Sequence, residues 1–249
     1  KPMAITNCLN FGNPYKPEVY WTFSEALGGM GDACRALNTP VTGGNVSLYN
    51  QNPKGAIFPT PVIGMLGLIE DVENHTMTPG FKNEGDIIYY LGADRKGLGG
   101  SEYIKTVHGL TTGDAPELDL DLEVKLQQSV LNLIHSKTVN AAHDVSDGGL
   151  SVTLAEMVIH SGLGADVSLK KMSGDLYELL FSEAQSGIVV TVSKERVTDL
   201  EKMMSESGIP FHVLGTVSGD SLTINQSINL SVSQLTEVYE SVIPKAMEQ

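Results

Sequence analysis

Cysteine is scarce in this chain: Cys8 and Cys34 are the only two in 249 residues. Two thiols make neither the disulfide framework of a small secreted domain nor a zinc pattern, so a reduced, cytoplasmic setting is the simplest expectation. Cations are scarce too, with 16 Lys and Arg against 30 Asp and Glu and a net charge of −14. No basic run forms a polyanion-binding surface, which excludes nucleic acid as a partner. No apolar run approaches the ~20 residues of a membrane helix, so no membrane partner is expected. The opening, Lys1-Pro2-Met3-Ala4-Ile5-Thr6, has no signal-peptide pattern. It reads as the middle of a polypeptide, and the chain is expected to be a fragment.

What is present suits a folded protein. Hydrophobic residues make up 41% and charged residues 18%, enough for real cores. The length fits one large domain or two modest ones. From Pro17 to Leu37 a helical stripe runs through Phe23, Leu27, Met30, Cys34 and Leu37. Gly28, Gly29 and Gly31 lie inside it and each costs about 1 kcal/mol against Ala, so a close neighbour is expected there. Pro40-Val41-Thr42, Gly43-Gly44 and Val46-Ser47-Leu48-Tyr49 read as strand, tight turn, strand. Residues 57–68 are β-rich. A loop over 73–85 marks the expected boundary, placed between 82 and 83.

Beyond it come a buried strand at 87–91, a short helix after Gly99-Gly100-Ser101, and a longer helix capped by Asp119 or Asp121. Residues 141–144 read as a strand. A helix carrying Leu150, Leu154 and Met157 follows and stops at Gly162. Residues 187–192 form a strand, Ser193 caps a helix, strands lie near 211–217, 221–225 and 228–232, and a helix ends the chain. The fold class is α/β (α+β two-layer), in two domains, 1–82 and 83–249. Gly92 to Gly97 has P-loop spacing, but Leu98 stands where the phosphate-binding Lys must be, which excludes that motif.

Four segments carry polar chemistry. In Thr42 through Asn50, two glycines let backbone N–H groups approach a phosphate, Asn45 offers a carbonyl oxygen for Mg²⁺, and Ser47 offers a hydroxyl. A glycine hairpin turn explains the same residues. Thr6 through Pro14 suits a nucleotide's sugar and phosphates, or a strand end entering an Asn-Pro turn. His143 through Leu150 ends a strand and starts a helix, where amides favour anions; Ser146 or Asp147 as N-cap is the alternative. Phe181 through Gly187 suits a polar ligand or a plain turn.

Taken in order and at their spacing, these segments resemble the C-terminal half of the small-form phosphoribosylformylglycinamidine synthases. The motifs are Thr6 to Pro14, Pro40 to Asn50, Pro59 to Gly64, Gly99 to Glu102, His143 to Leu150 and Phe181 to Gln185. The resemblance covers essentially the whole chain. It implies an aminoimidazole-ribonucleotide-synthetase-like unit, with a partial N-terminal domain and a complete C-terminal domain. The family's reaction joins formylglycinamide ribonucleotide, ammonia and ATP: an amide oxygen is phosphorylated, then ammonia displaces phosphate to form the amidine. The cofactors implied are ATP and Mg²⁺. The implied partners are a glutaminase subunit that supplies ammonia, a small linker subunit, and the N-terminal half of the same polypeptide.

Residue by residue, the resemblance implies that Asn7 and Gly44 contact ATP, Asn45 binds Mg²⁺ and Ser47 contacts the substrate. Asn7 stands where the family usually has Asp, losing a charge and an acceptor oxygen. No residue here is assigned a catalytic role, because the family's catalytic histidines lie in its first half. The fragment alone is therefore expected to be inactive. A non-catalytic scaffold or structural-nucleotide-binding half of a related superfamily member is the alternative.

Overall fold

The structure, a computed structural model, describes residues 1–248. Its contacts divide the chain into two compact units, Lys1–Glu73 and the remainder from Asn74.

The first unit is a helix on a small sheet. Strand β1 (Pro2–Asn10) leads through Asn13-Pro14 into helix α1 (Pro17–Ala36), which starts with Pro17, a residue that tolerates the first helical turn. Strand β2 (Val41–Ser47) pairs parallel with β1, aligning Asn7 with Gly44, Cys8 with Asn45 and Asn10 with Ser47. A small ribbon of β3 (Gln51–Asn52) and β4 (Gly55–Ala56) follows. Strand β5 (Thr60–Gly67) runs antiparallel to β1, so β1 is central in the order β2-β1-β5. Helix α2 (Val72–His75) spans the division between the units.

Two expectations fail here. Gly43 and Gly44 lie within one continuous strand rather than in a turn. The reason is Asn7: a Cβ on Gly44 would collide with the Asn7 backbone oxygen and side-chain Oδ1, so only glycine lets β2 pair closely at that register. The glycines of α1 also meet no close neighbour. A Cβ at Gly28 or Gly29 would enter open space, and one at Gly31 would touch only Arg35 of the same helix.

The second unit is a seven-stranded sheet with helices on both faces. Its elements are β6 (Ile87–Gly92), α3 (Glu102–His108), α4 (Leu120–His135), β7 (Ala141–Asp144), α5 (Gly149–Ser161), β8 (Ala165–Val167), α6 (Leu176–Phe181) and β9 (Gly187–Val192). A 3-10 turn (Lys194–Arg196) leads into α7 (Val197–Ser207), then β10 (Phe211–Val217), β11 (Ser221–Ile224), β12 (Ile228–Ser231), α8 (Val232–Glu240) and α9 (Val242–Met247). The strand order is β12-β11-β8-β10-β6-β9-β7. Alternation along β6 sends Ile88 and Tyr90 to one face, with Leu150, Leu154 and Met157 of α5. Tyr89 and Leu91 go to the other, with Leu126, Val130 and Leu133 of α4 and Leu200 and Met204 of α7. Each fully buried Leu among these contributes roughly 1.5–3 kcal/mol, and both faces are filled.

Asp119 is the N-cap of α4, its Oδ1 accepting from the Leu122 N–H at 3.0 Å. Ser193 caps no helix with its side chain; it precedes the 3-10 turn. The closing helix is two, broken at Ser241.

Candidate functional site

In the first unit, alternation decides which side chains meet. Ile5 and Leu9 of β1 are buried, and Asn7 shares their face. The Asn7 amide points at α1, where its Nδ2 lies 3.7 Å from Met30 Sδ, and its oxygen sits over Gly44. Cys8 and Asn10 point the other way, and the register places Asn45 and Ser47 beside them. The four residues singled out in the sequence are thus brought onto neighbouring strands but split between two faces, with Gly44 on the outer strand between them.

Asn45 is exposed and makes no side-chain hydrogen bond among the described residues, so its carbonyl is open to a cation. Ser47 is half-buried and held by Asn50, whose Nδ2 donates to Ser47 O at 2.9 Å and to Ser47 Oγ at 3.0 Å. The same amide reaches Phe11 O at 3.2 Å, and the Phe11 N–H donates to Ser47 O at 3.0 Å. Asn50 therefore locks the end of β2 to the end of β1. Among the described residues no group of three His, Cys, Asp or Glu is placed to hold a metal. Mg²⁺ requires near-octahedral oxygen coordination, so Asn45 fits as one contributor to a nucleotide-bound ion and not as a cage.

The second unit holds two adjoining cavities, of about 720 and 770 Å³, which share Ala115, Pro116, Gln185 and Ser186 in their walls. The first is lined by Glu123, Asp144, Asp147 and Glu183, with no Lys, Arg or His. Glu183 is part of its wall. The Glu183 Oε1 accepts from the Glu102 N–H at 2.9 Å and from the Gly148 N–H at 2.8 Å. The N-cap expected of Ser146 or Asp147 is not formed: α5 is capped by Gly148, in the left-handed region at φ 78, without a side-chain bond. A carboxylate from 35 residues away takes the amide instead, which local spacing does not reveal. Ser186, also left-handed at φ 60, donates from Oγ to Glu123 Oε2 at 2.6 Å.

His143 stands between two carboxylates, Nδ1 3.2 Å from Asp144 Oδ1 and Nε2 3.2 Å from Glu156 Oε2. Tyr239 of α8 donates to the other Glu156 oxygen at 3.3 Å, and Glu156 raises its phenol above the ordinary tyrosine range. This network ties α8 to α5. Among the described residues, no helix is long and apolar enough to cross a membrane.

The family model described as AIR synthase related protein, N-terminal domain, matches residues 1–69. The model for the C-terminal domain of the same proteins matches residues 83–225. A phosphoribosylformylglycinamidine synthase subunit PurL of Symbiobacterium thermophilum is 46% identical over 267 residues, covering 100% of this chain and 34% of its own length. The protein of that name from Salinibacter ruber is 47% identical, covering 99% of this chain and 34% of its own. The chain thus spans about a third of the length of these curated relatives. Among solved structures, T. maritima PurL complexed with FGAR superposes with a TM-score of 0.73 at 18% identity, over 95% of this chain and 40% of that one. HypE, a hydrogenase maturation protein of E. coli, does so with a TM-score of 0.65 at 15% identity, over 92% of this chain and 72% of its own. At these identities the two structures establish a shared fold. With both domain models matched in order along it, the chain belongs to the AIR synthase related proteins.

Proposed function

We propose that the chain is the second synthetase-like half of an ATP-dependent synthase that converts formylglycinamide ribonucleotide and ammonia into formylglycinamidine ribonucleotide. The observation that carries this reading is the 46% identity extending over the whole chain to a relative named for that activity. Solved relatives described as complexed with ATP and with FGAR support the choice of nucleotide and substrate. A solved assembly described as PurLQS supports a multisubunit setting, in which a glutaminase supplies ammonia and a small subunit links the parts. The setting is cytoplasmic, and the two family domains meet near residues 82 and 83, where the match to the C-terminal model begins, although the contacts divide the chain earlier, after Glu73.

In this reading the outer strand β2 is the nucleotide edge. Gly44 brings its backbone to ATP with no side chain in the way. Asn45 gives its carbonyl to Mg²⁺, and Ser47, oriented by Asn50, gives its hydroxyl to the substrate. Asn7 lies on the opposite face, so a nucleotide touching both Asn7 and Asn45 must wrap the edge of β2 at Gly44. Mg²⁺, when bound, would neutralise charge on the transferred phosphoryl group. The chain's residues position reactants and contribute no proton-transfer group, so the general acid and base lie elsewhere in the longer polypeptide.

The test is turnover. The full-length chain, given formylglycinamide ribonucleotide, ATP, Mg²⁺ and an ammonium salt, is expected to release ADP and form the amidine. The 249-residue chain alone is expected to do neither. Asn45→Leu in the full-length chain is expected to weaken ATP binding and lower kcat with unchanged circular dichroism. Wild-type kinetics in that variant would remove the metal role from Asn45.

A further inference from the structure

Arg95 is fully buried, at 0% exposure, and forms no ion pair with a carboxylate among the described residues. Its Nη1 donates to Ala184 O at 2.5 Å, and its Nη2 donates to Ser182 O. Its Nε is buried without a partner. Taking a guanidinium out of water without a counter-charge is costly, and an unsatisfied N–H adds to that cost. A second unfavourable feature sits nearby: Ser186, buried and non-glycine, is held in the left-handed region. Two such features converge on one short segment, residues 182–187, and that segment lines the 720 Å³ cavity. Local rules that fail together at a cavity wall point to placement for function rather than for stability.

The geometry shows what is placed. The two carbonyls gripped by Arg95 flank Glu183 on either side. The rest of the loop after β6 bonds to the same segment and to α6 before it. The Ala93 N–H donates to Ser186 O at 2.9 Å, Ser182 Oγ donates to Lys96 O at 2.9 Å, and the Gly97 N–H reaches Glu178 Oε1 at 3.1 Å. Gly187 completes the seat, since a Cβ there would stand 2.7 Å from Arg95 Nη1 and 2.8 Å from the Tyr90 hydroxyl. With its neighbours pinned, Glu183 spends one oxygen on the amides of Glu102 and Gly148. Its other oxygen makes no protein hydrogen bond among the described residues, and Glu183 is part of the cavity wall. One guanidinium thus ties the loop after β6 to the segment on both sides of Glu183, a residue whose second carboxylate oxygen is left free at the cavity wall.

We propose that Arg95 is a positioning residue, that it acts through Glu183, and that the cavity it shapes takes part in the turnover of the full-length chain. The part concerning turnover rests on the synthase reading above. Lysine keeps the charge at position 95 but has no planar fork to hold both carbonyls. Misplacing a positioned group by about 1 Å can cost on the order of 10²-fold in rate.

The experiment uses the full-length chain with formylglycinamide ribonucleotide, ATP and an ammonium salt. Arg95→Lys and Glu183→Gln are each expected to lower kcat roughly tenfold, as supporting partners of a site do. KM for ATP should stay within about twofold, because the proposed nucleotide edge is in the other unit. The double variant is expected to be no slower than the slower single variant, since both changes act through one oxygen. Amide hydrogen exchange at Glu102 and Gly148 should rise in Arg95→Lys. Wild-type kcat in Glu183→Gln, multiplicative losses in the double variant, or unchanged exchange at both amides would each overturn the proposal. If Arg95→Lys does not fold, Glu183→Gln alone decides it. If the wild-type full-length chain forms no amidine, the synthase reading falls, and the exchange measurement still decides whether Arg95 acts on Glu183.

Discussion

At the scale of single residues, two neighbouring glycines make opposite predictions. A Cβ on Gly43 meets nothing, whereas one on Gly44 strikes Asn7. Gly43→Ala should change stability by no more than about 0.5 kcal/mol, as surface changes do. Gly44→Ala should cost about 1–3 kcal/mol, because Asn7 is pinned between β2 and Met30 and the strands must separate. Thermal melts of the two variants check this, and equal losses would contradict the register described. Tyr89 makes a prediction in pH. Its hydroxyl donates to Glu201 Oε1 at 2.8 Å, and burial first, with Glu201 second, raises its phenol well above the ordinary 10.0. The folded chain therefore holds that proton more tightly than the unfolded chain. Below pH about 10 both keep it and the stabilisation is whole. As pH rises further, the unfolded chain releases its proton first and stability declines. The melting temperature should fall above pH about 10, and fall less steeply in Tyr89→Phe. Tyr90, also raised by burial, keeps the slope from vanishing. An identical slope in the variant would remove Tyr89 as a cause.

At the scale of elements, helix α1 separates what periodicity can and cannot report. Its bounds were legible, with Pro17 opening it and Phe23, Met30, Cys34 and Leu37 turned toward the sheet. Yet no residue of α1 is fully buried, and Leu27 of the stripe is 42% exposed. Gly28 is open to solvent, so Gly28→Ala should stabilise this chain by up to about 1 kcal/mol through helix propensity. A lower melting temperature would show that the helix is approached there. The main strands and the longer helices of the second unit were also legible, because each carries its own apolar period. The short β8 and α6 were not, since three and six residues hold too little pattern. The β2 hairpin was misread for a different reason: Gly-Gly signals a turn locally, and only the partner residue Asn7 explains it within a strand. In the candidate site, Asn45 and Ser47 were legible as a carbonyl and a hydroxyl close together in sequence, whereas their shared strand face was not. The split that puts Asn7 on the other face depends on register. Arg95, Glu123 and Ser186 were missed, because a buried arginine held by distant carbonyls leaves no mark in local sequence.

At the scale of the whole chain, the two units differ in what holds each together. Apolar residues reaching full burial in the first are Ile5, Leu9 and Phe11, the last edge-on to Phe23 at 5.1 Å. Three such side chains, at roughly 1.5–3 kcal/mol each, make a small core for a unit of 73 residues. The side chains that α1 turns toward the sheet are only partly buried. On the sheet face turned away from α1, Val62 is 52% and Leu66 65% exposed, and on the α1 side Val46 and Met65 stay about half exposed at the outer strands. The second unit has a filled core on each face of its sheet and four fully buried leucines on α4 and α5 alone: Leu126, Leu133, Leu150 and Leu154. Produced separately, residues 74–249 should therefore melt in one cooperative transition, with little binding of a hydrophobic dye. Residues 1–73 should bind the dye and melt without a sharp transition, as an expanded state does. Melts followed by near-ultraviolet circular dichroism, together with dye fluorescence, distinguish the two. A cooperative melt of residues 1–73 would mean that half-buried contacts such as Met30 with Asn7 contribute far more than their exposure allows. In that case the exposed face of the sheet would have to be stable in water, and an apolar patch of that kind rarely is on a monomer.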